Sequence, residues 1–507
     1  MQEWGPPRFG NSEIHGDLES IITGIDHRKW KIYIECWAKS IALSDKGEYL
    51  CSFLAEIILL QLEKVLLLKN AEIDLSDLRL CCSFGVPDSL RPLCWRLLLG
   101  YLPVERQQWS VYLQKQREIY NSLVEDVIVH PGQSSMEQDH ETTVDHPLNL
   151  NPDSQWNNYF KDNEVLAQID KDVRRLCPEI DFFQRITAYP HRTFRHVSPV
   201  YDRAGDTNKK IVVPSQNIRS AAKINLSCRI RQENLYSEVP PNSHFSAGNF
   251  IALPAKTASN EYSNDVDENV EYHWQVVERV LFMYSKLNPG VRYVQGMNEI
   301  MGPLYYVFAS DADSEWAEAA EADTYYCFQL LMSEIKDNFI KTLDSSSCGI
   351  ESLLAEFNER LRNCDPELYN HLIDVGVKPQ FYAFRWLSLL LSQEFSLPDV
   401  INIWDSLFSS PDRLRFLHWI CLAMMEKVRI VLLEGDFTSC LEMLQNYHET
   451  DVGELIVNAH KMNEGCYYFK SSYNDSVKSG SSKVEINPTT KLASAFTNVL
   501  RTWSKKQ

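Results

Sequence analysis

The sequence contains no Gly-x-x-x-x-Gly-Lys-Ser/Thr stretch, so it lacks the phosphate cradle of a P-loop nucleotide-binding protein. It has no Gly-x-Ser-x-Gly elbow, which removes the nucleophile turn of the α/β-hydrolases. Strand-like alternation bounded by hairpin turns is nearly absent, and no fixed repeat period emerges. Positive charge is scarce. Lys and Arg number 50 against 69 Asp and Glu, a net charge of −19, which makes general nucleic-acid binding a poor fit. The chain opens Met-Gln-Glu-Trp-Gly-Pro-Pro, without a basic n-region or an apolar signal core. Its one long apolar run, 49–68, carries Glu56, Gln61, Glu63 and Lys64, too many polar groups for a bilayer centre. The 13 cysteines are odd in number and scattered. Cys81, Cys82 and Cys94 do not match a zinc spacing and read as reduced core thiols, so a cytoplasmic protein with no metal of its own is expected.

What is present is a globular composition, 44% hydrophobic and 11% aromatic over 507 residues. Apolar residues recur at helical spacing almost throughout. The pattern predicts helices over 76–83, 109–124, 272–287, 297–309, 322–341, 349–363, 366–374, 380–392, 397–408, 412–432, 436–446 and 451–463. Ser76 is the expected cap of the first. Another begins near Asp88 or Ser89, either of which could cap it, with Pro92 in its first turn. An all-α domain is therefore expected over 76–465, interrupted by a long irregular insertion at about 188–265. Residues 1–75 read as a helical extension, and 466–507 as a Ser-rich linker with a basic amphipathic tail. The insertion is basic between 192 and 231. A solvated insertion is the plain reading, and a patch for anionic lipid or an acidic partner is the alternative. The tail could dock as a helix or lie on a membrane surface.

Two short stretches carry the chemistry. The first is Gln168–Pro178; with Leu166 just before it, Ile169, Val173 and Leu176 fall within roughly a 60° to 80° arc of a helix and form a buried stripe. Asp172 and Arg175 are three apart and can pair on one side of it. Pro178 stops the helix. Taken alone, this is an ordinary amphipathic helix with a surface ion pair. The second stretch is Tyr293-Val-Gln295-Gly296-Met-Asn298. Read as extended, it points Tyr293 and Gln295 to one side, and Gly296 permits a tight turn.

Together, Ile169-x-x-Asp172-x-x-Arg175, Tyr293-x-Gln295-Gly-Met-Asn298 and the upstream Arg91-x-x-x-Trp95 resemble the TBC-domain family of Rab GTPase-activating proteins. Glu321-Ala-Asp323, Trp386 and Ile403-Trp404-Asp405 fit that family's later helices. The similarity spans roughly 80–455. The long spacer between the two stretches and the segment 145–164 are similar to the subgroup of TBC domain family member thirteen. The resemblance implies an activator that acts in trans on a GTP-bound Rab and so regulates vesicle traffic. Arg175 would be the arginine finger and Gln295 the glutamine finger, with GTP and Mg²⁺ carried by the partner. Asp172 would hold Arg175, and Tyr293 would pack or hydrogen-bond beneath Gln295. Gly296 and Asn298 would support the loop, while Ile169, Arg91 and Trp95 would be structural. Arg174, where many relatives are less basic, would face solvent or the partner. The alternative is a Rab effector or scaffold with the same fold and little catalysis.

Overall fold

The computed structural model describes residues 72–128, 154–192 and 270–465, apart from 345, 347, 348 and 449, together with Leu226. The N-terminal extension, the apolar run at 49–68, the insertion beyond Arg192 and the tail lie outside the described residues. So do residues 129–153.

Among the described residues there are sixteen α-helices and no strand, only the isolated bridges Glu72 to Glu105 and Ile186 to Tyr272. In chain order the helices are α1 Leu75–Cys82, α2 Arg91–Leu98, α3 Trp109–Val127 and α4 Gln155–Val173. Then follow α5 His273–Leu287, α6 Met297–Ala309, α7 Ser314–Glu318 and α8 Ala320–Ile335. The last eight are α9 Ile350–Cys364, α10 Pro366–Asp374, α11 Ala383–Ser388, α12 Leu397–Ser409, α13 Arg413–Lys427, α14 Arg429–Glu434, α15 Phe437–Gln445 and α16 Val452–Asn463.

Several boundaries depart from the periodicity. The first helix is capped by Asp74, whose carboxylate accepts from the amides of Ser76 and Asp77, and not by Ser76. The second has Leu90 at its N-cap and no side-chain cap, so neither Asp88 nor Ser89 plays that part. The stretch 412–432 is two helices that break at Val428, and 380–392 shrinks to six helical residues followed by a turn. At the two breaks apolar residues continue past the point where the backbone changes direction, so spacing alone does not mark it.

The core forms where α6 packs against α8, α4 against α5, and α13 against α16. Trp95, Trp386 and Trp404 are each fully buried, and the thiols of Cys81, Cys82 and Cys94 lie in the same interior. One indole removes about 200 Å² from water, roughly 5 kcal/mol gross at ~25 cal/mol per Å². Asp405 on α12 ties this region to the start of the domain. Its carboxylate accepts from the Val86 amide at 2.8 Å, from Trp95 Nε1 at 2.7 Å and from Arg91 Nε at 3.1 Å. The Arg91-x-x-x-Trp95 spacing thus presents two donors from one helical turn to a single buried acceptor.

A second buried ion cluster closes the root of the insertion. Arg279 on α5 pairs with Glu271 and with Glu321, whose carboxylate also accepts from Tyr120. Glu271 accepts in addition from the His191 amide at 2.8 Å, and the Thr187 amide donates to the Glu271 carbonyl at 2.9 Å. The two ends of the insertion therefore meet on one buried carboxylate. Arg192, counted with the basic stretch, is paired with Glu118 and Glu125 on α3. Among the described residues no helix is long and apolar enough to cross a membrane.

Candidate functional site

The stripe Leu166, Ile169, Val173 and Leu176 is wholly buried, as its spacing predicts. The helix itself ends earlier than the proline. It stops at Val173 with Arg174 as C-cap, and the chain turns through Cys177 in the left-handed region, φ +43°. Arg175 sits in that turn, just past the helix. Its Nε donates to the Lys171 carbonyl at 3.0 Å and its Nη2 to Asp172 Oδ1 at 2.9 Å. These two bonds orient the guanidinium and leave the rest of its five-donor fork uncommitted. The side chain is 69% exposed while Asp172 is buried.

The neighbouring Arg174 is exposed, as expected, but it is also tied down. Its Nε pairs with Asp170 at 2.9 Å, and its guanidinium lies over the Trp274 ring at 4.2 Å. Arg174, at the C-cap, lies against Trp274 of α5, while Arg175, one residue into the turn, stays largely exposed.

The second stretch is not evenly extended. A turn closes from the Met297 amide to the Val294 carbonyl at 3.1 Å, so Tyr293 is buried while Gln295 is exposed. The Tyr293 hydroxyl does not bond Gln295. It donates to Asp172 Oδ2 at 2.7 Å, with Asn298 Oδ1 at 3.4 Å. Burial first, and then the bond to the Asp172 carboxylate, push the Tyr293 phenol far above its usual range, so it stays a donor. Asp172 thus serves both stretches, one oxygen to each. Asn298 also accepts from the Gly296 amide at 3.3 Å. The Gln295 carboxamide bonds no described residue.

What brings the two stretches together is α6, which begins immediately after Gln295. Leu176 packs so closely on Gly302 of that helix that a Cβ there would stand 2.9 Å from its Cδ1. The arginine turn therefore rests on the helix whose N-terminus carries the glutamine. Both side chains line one open depression of about 410 Å³, with Asp172, Gly296, Asn298, Glu299, Leu389 and Gln393. Glu299, Leu389 and Gln393 were not singled out in the sequence. Glu299 follows directly on the second stretch, but the other two are remote in sequence. Burial raises the Glu299 carboxyl above its usual range, although bonds from Asn298 and Gln393 pull it back.

Gly296 is fixed by its φ of +102°, and a Cβ would in addition displace the tip of Leu389, whose Cδ2 would stand 2.8 Å away. Gly296→Ala is expected to destabilise the fold by about 1–3 kcal/mol. It should also displace Gln295, and urea melts beside an activity assay would separate the two effects.

The fold and site define an all-helical domain that offers an oriented arginine and an unpartnered glutamine on an open surface. Residues 255–433 match the RabGAP-TBC family, the Rab-GTPase-TBC domain. The chain is 47% identical to human TBC1 domain family member 13 over 406 residues, covering 78% of this chain and 96% of that protein, and the mouse protein matches equally. A TBC domain-containing protein of Schizosaccharomyces pombe is 33% identical over 441 residues, covering 78% of this chain and 71% of that one. The chain belongs to the TBC domain family. Among solved structures, the Ypt/Rab-GAP domain of Gyp1p aligns with a TM-score of 0.53 at 20% identity, covering 81% of this chain and 98% of that one, which supports the fold.

Proposed function

We propose that this chain is a GTPase-activating protein for a Rab-family GTPase and that it supplies two catalytic groups in trans. The observation that carries the reading is that Arg175 and Gln295 line one open depression, where Asp172 bonds Arg175 on one stretch and Tyr293 on the other. Charge develops on phosphate oxygens as the terminal phosphoryl group transfers, and a fixed guanidinium offsets it. Arginine suits this because it remains charged and presents a planar fork. The Gln295 carboxamide can accept from the attacking water and donate to phosphate at once. GTP and Mg²⁺ arrive with the partner, and Asp172 holds the guanidinium ready before contact. By shortening the life of the GTP-bound Rab, the chain regulates vesicle traffic from the cytoplasm. Contact of the basic insertion with anionic membrane belongs to the same proposal.

The test is phosphate release from a panel of GTP-loaded Rabs with the chain at substoichiometric concentration. Multiple turnovers per chain on at least one Rab are expected. Binding to a Rab with no acceleration on any member would point instead to an effector or scaffold.

A further inference from the structure

Among the described residues, four that are not glycine have a left-handed backbone: Cys177 at φ +43°, Arg292 at +61°, Leu390 at +52° and Leu391 at +63°. All four fall in the segments that build the open depression. Cys177 follows Arg175 by two residues, Arg292 precedes Gln295 by three, and the two leucines separate Leu389 from Gln393. Side chains with a Cβ avoid this conformation, and it persists only where something over-determines it.

Three of the four have a reason within the fold. Leu390 and Leu391 are buried, Trp404 Nε1 donates to the Leu390 carbonyl at 3.0 Å, and the Leu391 amide donates to the Trp386 carbonyl at 3.0 Å. Cys177 is half-buried in the turn that seats Leu176 on α6. Arg292 is different. Its amide closes the turn after α5 by donating to the Asn288 carbonyl at 2.9 Å, but its side chain is exposed and makes no hydrogen bond or ion pair with a described residue. The two long cations of α5 are both committed, Arg279 to Glu271 and Glu321, and Lys286 to Asp162. Glycine would take the Arg292 backbone freely, so nothing within the fold calls for a guanidinium here.

Arg292 does not line the depression, which sets it apart from the reacting groups. Chain geometry nevertheless keeps its Cα within about 11 Å of that of Gln295. A Rab seated on Gln295 would cover about 800 Å², a patch roughly 16 Å in radius, and would meet Arg292. Covering an unpaired guanidinium is costly unless the partner supplies an acceptor, and a carboxylate is the strongest one a protein surface offers. We infer that Arg292 is a docking and specificity residue that favours a Rab carrying a carboxylate opposite it. The inference rests on the proposed Rab reading and concerns which Rab is accepted, not the chemical step.

The experiment uses the full chain with Arg292→Asn, Arg292→Lys and Arg292→Glu. Asparagine tolerates the left-handed backbone and removes the charge. Phosphate release over a range of concentrations of a responsive GTP-loaded Rab gives kcat and KM, at about 50 mM and about 500 mM salt. Arg292→Asn is expected to raise KM about fivefold or more at low salt with kcat within about twofold, and the gap should narrow at high salt. Arg292→Lys should stay within about threefold of wild type, and Arg292→Glu should raise KM further than Arg292→Asn. Lysine placed at one acidic surface position of the Rab should lower the KM of Arg292→Glu about fivefold. The urea midpoint of Arg292→Asn should be no lower than that of wild type. An unchanged KM overturns the inference. So does a loss confined to kcat, which would put Arg292 on the reacting phosphate, and so does a lowered midpoint, which would make its role structural. Failure of every acid-to-lysine Rab variant to rescue Arg292→Glu overturns it too. If no Rab responds to the wild-type chain, the activating reading fails, and affinities for GTP-loaded Rabs decide the docking alone. Tighter binding by Arg292→Lys than by Arg292→Asn, and by that than by Arg292→Glu, then supports the inference, and equal affinities overturn it. If no Rab binds, both fail.

Discussion

Arg175→Ala is expected to lower the chain's stimulation of phosphate release from a Rab by about 10³-fold or more, with the fold intact. The size follows from the charge that a trans-supplied arginine offsets in phosphoryl transfer. The intact fold follows from the structure. Arg175 is 69% exposed, and its two bonds are local to its own helix end. Asp172 is buried but keeps the bond from the Tyr293 hydroxyl, so loss of the arginine costs about 1–3 kcal/mol and not the fold. Arg175→Lys should recover little, because an ammonium keeps the charge but not the fork. Arg174→Ala makes the informative contrast. It removes the Asp170 pair and the contact over Trp274, so it should lower stability modestly and leave most of the rate. Single-turnover release beside thermal melts separates the two arginines. Equal rate losses at both positions would mean that the surface as a whole matters and not one oriented guanidinium.

Asp405→Ala is expected to destabilise the domain by about 3–5 kcal/mol while leaving Arg175 and Gln295 in place. Removal of this carboxylate strands the nearly buried Arg91 guanidinium, the Trp95 indole N–H and the Val86 amide together. Urea denaturation measures the loss, and a change below about 1 kcal/mol would show that the three donors find other partners. The same carboxyl predicts a pH dependence. Burial pushes Asp405 up to about 6, even though Arg91, Trp95 and the Val86 amide act in the opposite direction. Its unfolded value is about 3.9. Between these values the folded state holds the proton more tightly than the unfolded chain. The contribution is therefore fully present below about pH 4 and falls as pH rises through about 6. The stability difference between wild type and Asp405→Ala should accordingly shrink across that window and level off above it.

Much of this was legible in the sequence because it depends on local periodicity. The stripe Leu166, Ile169, Val173 and Leu176 is buried as predicted, and the helix bounds at 297–309 and 366–374 agree to the residue. Asp172 and Arg175 pair because three residues make nearly one turn of helix. What escaped depends on where the backbone changes direction. The turn at Val294–Met297 parts Tyr293 from Gln295, so the tyrosine serves Asp172 on another helix. Arg174 needed the position of Trp274, about 100 residues away, before its partner could be named. Leu389 and Gln393 gave no local signal, since they flank a turn whose left-handed Leu390 and Leu391 follow from tertiary constraint and not from leucine's own preference.

The claim that the chain supplies the water-orienting carboxamide is tested most directly on a responsive Rab from which its own water-positioning glutamine has been removed. The account predicts that wild-type chain still accelerates hydrolysis by that Rab, within about tenfold of its effect on the unmodified one. It also predicts that Gln295→Ala accelerates neither. Loss of stimulation on the altered Rab, with Gln295→Ala still active on the unmodified one, would contradict it.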